Sequence, residues 1–310
     1  MNLALADLAL WTPVALHLDP PAVDWADFRL HRFAEPFLDQ TVERLVGGGC
    51  DLVRTDLAAL QALDAGKSLE PSGIVLHLAR CGSTLVSRLL GTVPGVVVVS
   101  EPAPVNTLLG ADPARLDEAA AVAVLRLLVR ALGRIRLGDE RHLVLKLTSW
   151  NVRRLALLRR AFPEVPLVWV ERDPAEVLAS LLAEPPGWLD PRLAPLFGMA
   201  PDEAARLDRT GLAARIVKSL LDAAAGAGAL AIDYRALPDA VWTGVAPHFG
   251  IALDQEAIER MRVEATLSAK LPGRVAYAPV PRPVSPAIAE VVAQFRLERL
   301  ANPVGPAPGP

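Results

Sequence analysis

A chain of 310 residues, 52% of them hydrophobic, can bury one large core or one core with an added lobe. Charged residues make up 22% and the formal net charge is −3, which excludes an overall positive field for nucleic acid or an anionic membrane; any anion site has to be local. Two cysteines, Cys50 and Cys81, form neither a disulfide framework nor a zinc spacing, which fits a reducing cytoplasm.

The first residues lack a basic n-region and are soon broken by Asp7, Trp11 and Pro13, so neither signal peptide nor anchor is expected. Residues 1–70 read as a mostly helical lead-in lobe. Within it, Phe37, Leu38, Val42, Leu45 and Val46 predict an amphipathic helix that opens near Pro36 and ends at Gly47-Gly48-Gly49; Leu57, Leu60 and Leu63 predict another. Nothing in this lobe points to chemistry. Gly66-Lys67-Ser68 mimics the end of a Walker A loop, but Gln61 stands where that pattern needs its first glycine, and the preceding segment is helical in period.

From residue 71 to 300 the pattern changes to strands alternating with helices. Pro71-Ser72-Gly73 turns into a buried strand, Ile74–Leu78, and Leu85, Leu89 and Leu90 recur behind it at helical spacing. Between them lies Ala79-Arg80-Cys81-Gly82-Ser83-Thr84. A strand that passes at once into a helix exposes free backbone N–H groups at the positive end of the helix dipole, a geometry that holds phosphate or sulfate. Gly82 permits close backbone approach, Ser83 and Thr84 add hydroxyl donors, and Arg80 adds a fixed charge.

Further strands are expected at Val96–Val99, Leu143–Leu147, Pro166–Val170 and Leu230–Asp233. The 113–137 stretch predicts a long helix whose Arg126, Arg130 and Arg134 read as a solvated stripe, and these charges rule out a spanning segment. Ser149 or Asn151 is placed to cap a helix over 152–162, and Pro174 to open the next one. The Pro-rich 185–201 segment reads equally as a substrate lid or as a connector with apolar anchors. A terminal helix over 285–299 precedes a Pro/Gly tail, 301–310. The alternation predicts an α/β fold, a three-layer P-loop NTPase-like arrangement with a mainly parallel sheet between helices.

In such sheets ligands gather at the carboxyl ends of the strands. Four such ends carry candidates: the 79–84 loop, Glu101, Lys146 and Arg172. Lys146 is informative because only four lysines (Lys67, Lys146, Lys218 and Lys270) occur among 32 basic residues.

His77-Leu-Ala-Arg-Cys-Gly-Ser-Thr-Leu85 resembles the phosphosulfate-binding loop of the sulfotransferase family, Pro-Lys/Arg-Ser-Gly-Ser/Thr-Thr, with Ala79 for the Pro and Cys81 for the first Ser. Arg172 followed eight positions later by Ser180 resembles that family's 3′-phosphate signature, and Tyr234-Arg-Ala-Leu237 stands where it often has Tyr-Glu-Asp-Leu. The resemblance covers about 74–250 and is closest in style to the tyrosylprotein and bacterial branches. It implies 3′-phosphoadenosine 5′-phosphosulfate as the donor, no metal, and a small-molecule or peptide acceptor bearing a hydroxyl or amine. Donor contacts are implied for Arg80, Cys81, Gly82, Ser83, Thr84, Leu85, Arg172, Ser180 and Tyr234, with Lys270 or Arg274 in place of a C-terminal Gly-rich segment that has no clear match here. The His that follows a strand-end Lys in the cytosolic branch is absent, Thr148 standing there. Glu101 is then the candidate base, with Lys146 and Arg80 offsetting charge on the sulfuryl and phosphate oxygens.

Plainer readings stand beside these. Glu101 also suits a helix start, and Cys81, at a helix N-terminus, also permits a nucleophile or redox reading. His77 and His142 read as core or strand-end residues. A non-catalytic nucleotide-binding module on the same fold, or a kinase lacking its loop Lys, are the other classes. Oligomeric state and acceptor identity leave no mark in the sequence.

Overall fold

The structure is a computed structural model that describes residues 8, 11–29, 31–33, 35–62, 67–112, 117–269, 275–277 and 282–301. Lys270, Arg274 and the tail beyond residue 301 lie outside the described residues.

Among the described residues eight strands form two sheets. Strands β1 (Thr12–Leu18), β2 (Pro21–Ala26) and β3 (Leu52–Asp56) make an antiparallel sheet in that order. This corrects the mostly helical expectation for residues 1–70, which among the described residues holds for Leu38–Gly47 and the short Ala58–Ala62, Leu63 lying outside them. The physical signal is the period of two in Val14-Ala-Leu16 and Val23-Asp-Trp25, whose apolar members are buried, Val23 and Trp25 completely.

The larger sheet runs β4 (Pro71–His77), β5 (Val96–Ser100), β6 (His142–Lys146), β7 (Leu167–Glu171) and β8 (Leu230–Asp233), all parallel, in the spatial order β5-β6-β4-β7-β8. Parallel neighbours cannot be joined by hairpins, so each connection crosses over the sheet, mostly as helix. Strands β4 to β7 are buried along nearly their whole length, and a strand buried on both faces lies between two helical layers. The first strand of this sheet is therefore central, and the sequence that leaves it, 79–84, opens at the middle of the sheet's carboxyl edge. This is the expected P-loop-like α/β fold.

Local differences have local causes. No side chain caps the segment after β6: Ser149–Arg154 is a 3-10 turn leading into helix Leu155–Ala161, and Asn151, fully buried, bonds Asn106 instead. Of the three arginines only Arg134 leaves the expected solvated stripe: it is buried and donates to the Leu8 carbonyl at 3.1 Å, whereas Arg126 is exposed, donating to the carbonyls of Ala161 and Arg160 at the end of the Leu155–Ala161 helix, and Arg130 is partly exposed beside Glu70. In 185–201, Trp188 and Trp150 pack on Phe197, with centroids 5.4 and 6.3 Å apart, around a 3-10 turn at Pro191–Phe197. The Lys67-Ser68 pair sits at the opposite end of β4 from the 79–84 loop, where the Lys67 carbonyl accepts from Ile135. Among the described residues no helix is long and apolar enough to cross a membrane.

Candidate active site

The carboxyl edge of the parallel sheet opens into a cavity of about 650 Å³. It is lined by Arg80, Cys81, Gly82, Ser83, Thr84, Leu85, Glu101, Lys146, Arg172, Ser180 and Tyr234, so the described residues singled out from sequence meet in one place.

The loop is shaped by two left-handed residues. Arg80 has φ 58° and Gly82 φ 87°, after which Ser83–Leu90 turns as a helix. Glycine is required at 82 twice over: a Cβ there would lie 2.8 Å from Leu237 Cδ1 and 2.9 Å from Tyr234 Cδ2. Ser83 and Thr84 occupy the first helical turn, whose amide N–H groups have no partner within the helix and point toward the helix's positive end. Arg172, at the end of β7, lies with its guanidinium 4.4 Å from the centre of the Tyr234 ring and donates to the Arg80 carbonyl at 3.4 Å and to Glu176 at 2.6 Å. Asp173 caps the helix Pro174–Ala183 and so fixes Ser180 relative to Arg172. One cradle thus carries helix-end amides, hydroxyls and two guanidinium groups, the chemistry of a bound oxyanion.

A second cluster stands at the ends of β5 and β6. Lys146, 1% exposed, bonds the Glu101 carboxylate directly. Glu101 itself has φ 52°, and the Pro102 that follows narrows its choices further. Burial pushes the Glu101 carboxyl upward, but the Lys146 ammonium and His77 outweigh it and hold the carboxyl down at about 2. His77 Nε2 stands 3.7 Å from Glu101 Oε1; burial, and then Lys146, lower the imidazole pKa, which keeps the ring neutral. Cys81 is fully buried and its thiol is pushed up to about 12 by burial, which removes the nucleophile reading and leaves it filling the loop.

Several lining residues are absent from the sequence reading. Phe37, from the N-terminal region, places its ring 4.9 Å from Lys146 Nζ, so that region does reach the cavity. Arg282 enters from beyond residue 280, donating to the Ser180 hydroxyl and carbonyl, each at 3.0 Å, and pairing with Glu184. Glu184 also pairs with Arg80, whose guanidinium donates to the Glu184 carbonyl at 2.5 Å. Tyr277 lines the cavity as Tyr234 does, which puts both tyrosines of the chain on it. His77, Thr148, Pro186 and Trp188 line it as well. Sequence offered a signal for His77, a polar residue in a buried strand two positions before the loop, and for Pro186 and Trp188 through the 185–201 segment.

The fold and this cavity define a P-loop-like α/β protein whose 79–84 strand-to-helix loop lies beside the pair of a buried Lys146 ammonium and a partly buried Glu101 carboxylate. No protein-family model matches the chain, and no curated protein matches it. Among solved structures it is similar to sulfotransferase STF9 from Mycobacterium avium, at 16% identity over 78% of each chain with a TM-score of 0.49. It is similar to sulfotransferase STF1 from Mycobacterium tuberculosis, at 18% identity over 63% of this chain and 71% of that one, TM-score 0.40. The sulfotransferase domain of the Synechococcus olefin synthase matches at 16% identity over 75% of this chain and 96% of that domain, TM-score 0.41.

Proposed function

We propose that the protein is a sulfotransferase that moves a sulfuryl group from 3′-phosphoadenosine 5′-phosphosulfate to a hydroxyl or amine. The observation that carries this reading is the meeting, in one cavity, of the 79–84 cradle, the Arg172–Ser180 pair and the Glu101–Lys146 pair. In it, the donor's phosphosulfate lies on the helix-end amides of Ser83 and Thr84 with Gly82, Cys81 and Leu85 shaping the loop; its 3′-phosphate goes to Arg172 and Ser180, beside Tyr234. Phe37, Pro186 and Trp188 give the acceptor side an apolar wall.

The transfer forms a bond from the acceptor oxygen or nitrogen to sulfur and breaks the bond from sulfur to the bridging phosphate oxygen, releasing adenosine 3′,5′-bisphosphate. The acceptor's proton goes to Glu101. A carboxylate held at about 2 is a weak base, so in this reading Lys146 exchanges Glu101 for the sulfuryl and phosphate oxygens as charge grows on them, and Glu101 regains basicity when a proton has to be taken. Arg80 adds charge on the same side once Glu184 gives way.

Calorimetric titration with adenosine 3′,5′-bisphosphate and with ATP tests the reading. Binding of the bisphosphate in preference to ATP, weakened in Arg172→Ala and in Ser180→Ala, is the expected result. No binding by the intact folded chain refutes it. A survey of alcohols and amines with the phosphosulfate donor then separates an enzyme from a module that only binds nucleotide.

A further inference from the structure

Glu101 is held by more than its ion pair. It is the residue before a proline, in a left-handed turn that few non-glycine residues adopt, and its side chain works only if that turn is kept. Its N–H stays in the sheet, donating to the Lys146 carbonyl at 2.7 Å. Its own carbonyl leaves the sheet and accepts from the Asn106 side-chain amide at 3.0 Å. That amide is clamped in turn: Asn106 Oδ1 accepts from the Thr148 hydroxyl and from Asn151 Nδ2, both at 2.8 Å. Thr148 is 4% exposed and Asn151 fully buried.

The network has one sense only. The Glu101 carbonyl can only accept, so the Asn106 NH₂ faces it, and the Asn106 oxygen is left to accept from the Thr148 hydroxyl and the Asn151 amide. One carboxamide therefore ties the end of β5, where Glu101 sits, to the segment leaving β6, where Lys146 sits. The helix that carries Asn106, Ala103–Gly110, packs on β1 of the N-terminal sheet, so the clamp has a fixed base. The charged and titratable groups facing Glu101 are Lys146 from β6, His77 from β4 and Asp39 from the Leu38–Gly47 helix; Asn106 adds no charge to this set.

We propose that Asn106 is a positioning residue: its carboxamide, clamped by Thr148 and Asn151, holds the Glu101 backbone in its left-handed turn and so aims the carboxylate at Lys146. The catalytic meaning of this rests on the reading of Glu101 as proton acceptor; the geometric claim does not. An aspartate at 106 would keep the acceptor and lose the donor, and a leucine would lose both.

The test is a ¹³C NMR titration of the glutamate side-chain carboxyls, with Glu101 assigned from Glu101→Gln, in the full chain and in Asn106→Leu and Asn106→Asp. The expected result is an upward move of the Glu101 midpoint by about one unit or more in both variants, roughly tenfold in proton affinity, while affinity for adenosine 3′,5′-bisphosphate stays within about twofold. Asn151→Ala, whose side chain reaches Asn106 and not Glu101, gives a smaller move in the same direction and serves if the Asn106 variants fail to fold. An unmoved Glu101 midpoint in the folded variants overturns the proposal, as does loss of bisphosphate binding with that midpoint unmoved, which would place Asn106 in the donor site. If the unaltered chain binds no bisphosphate, the sulfotransferase reading falls while the same titration still decides the role of Asn106.

Discussion

Glu101→Gln should cost stability in a way that depends on pH. The Glu101 carboxyl is held at about 2, against 4.5 for an unperturbed glutamate, so its ionised form stabilises the folded chain. Because the folded value is depressed, that contribution is complete above the unfolded value and is lost as pH falls toward the folded one. A difference of that size corresponds to about 3 kcal/mol at pH 7, and about 1 kcal/mol of it is gone by pH 3.5. The side chain is 24% exposed, so solvent screening makes these upper values. The Gln variant lacks the contribution at every pH and leaves the Lys146 ammonium buried without its counter-charge, which adds a penalty at neutral pH. Urea unfolding of both proteins at pH 7 and pH 3.5 gives the two differences directly. The gap between them should narrow by about 1 kcal/mol on acidification. A gap that is constant with pH would refute the ion pair and with it the proposed hand-over of Lys146.

Gly82→Ala should lower the melting temperature and abolish bisphosphate binding, since the left-handed backbone adds about 1–2 kcal/mol and the methyl meets Leu237 and Tyr234 below 3 Å; unchanged melting and binding would contradict this loop geometry. Glu184→Gln frees Arg80 and Arg282 from a competing carboxylate and should tighten bisphosphate binding about two- to fivefold by calorimetry, weaker binding being the contrary result. Alkylation at pH 8 followed by mass spectrometry should modify the half-buried Cys50 before the fully buried Cys81, whose thiol is held at about 12; rapid labelling of Cys81 in the folded chain would disprove that burial.

The parallel sheet is legible in the sequence because its strands are short runs of β-branched and aliphatic residues buried on both faces, such as Val96-Val97-Val98-Val99. The strand-end residues are legible for the same reason: polar groups such as Lys146 or Arg172 that follow an apolar run at once stand at a sheet edge. The N-terminal sheet is harder to see, as Pro13 and the Pro20-Pro21 turn interrupt the alternation and the next helix supplies a stronger period. Phe37, Arg282 and Tyr277 arrive by packing across long sequence distances, with no local pattern to announce them. Asn106 is an ordinary helical residue by its spacing, and only the path of the neighbouring carbonyl reveals what its amide does.

Arg80 and Glu101 are the non-glycine residues among those described with left-handed backbones, and both stand where a strand stops at the cavity. Glycine would relax either turn, so at these two positions the chain keeps a conformation less comfortable than its best alternative in order to present a charge. Selection for stability alone would favour losing the Arg80 side chain, and a search for hardier variants of this protein is expected to find glycine at 80 among its stabilising changes, at the expense of a cavity charge, whereas at 101 the lost pair with Lys146 outweighs the relaxed turn.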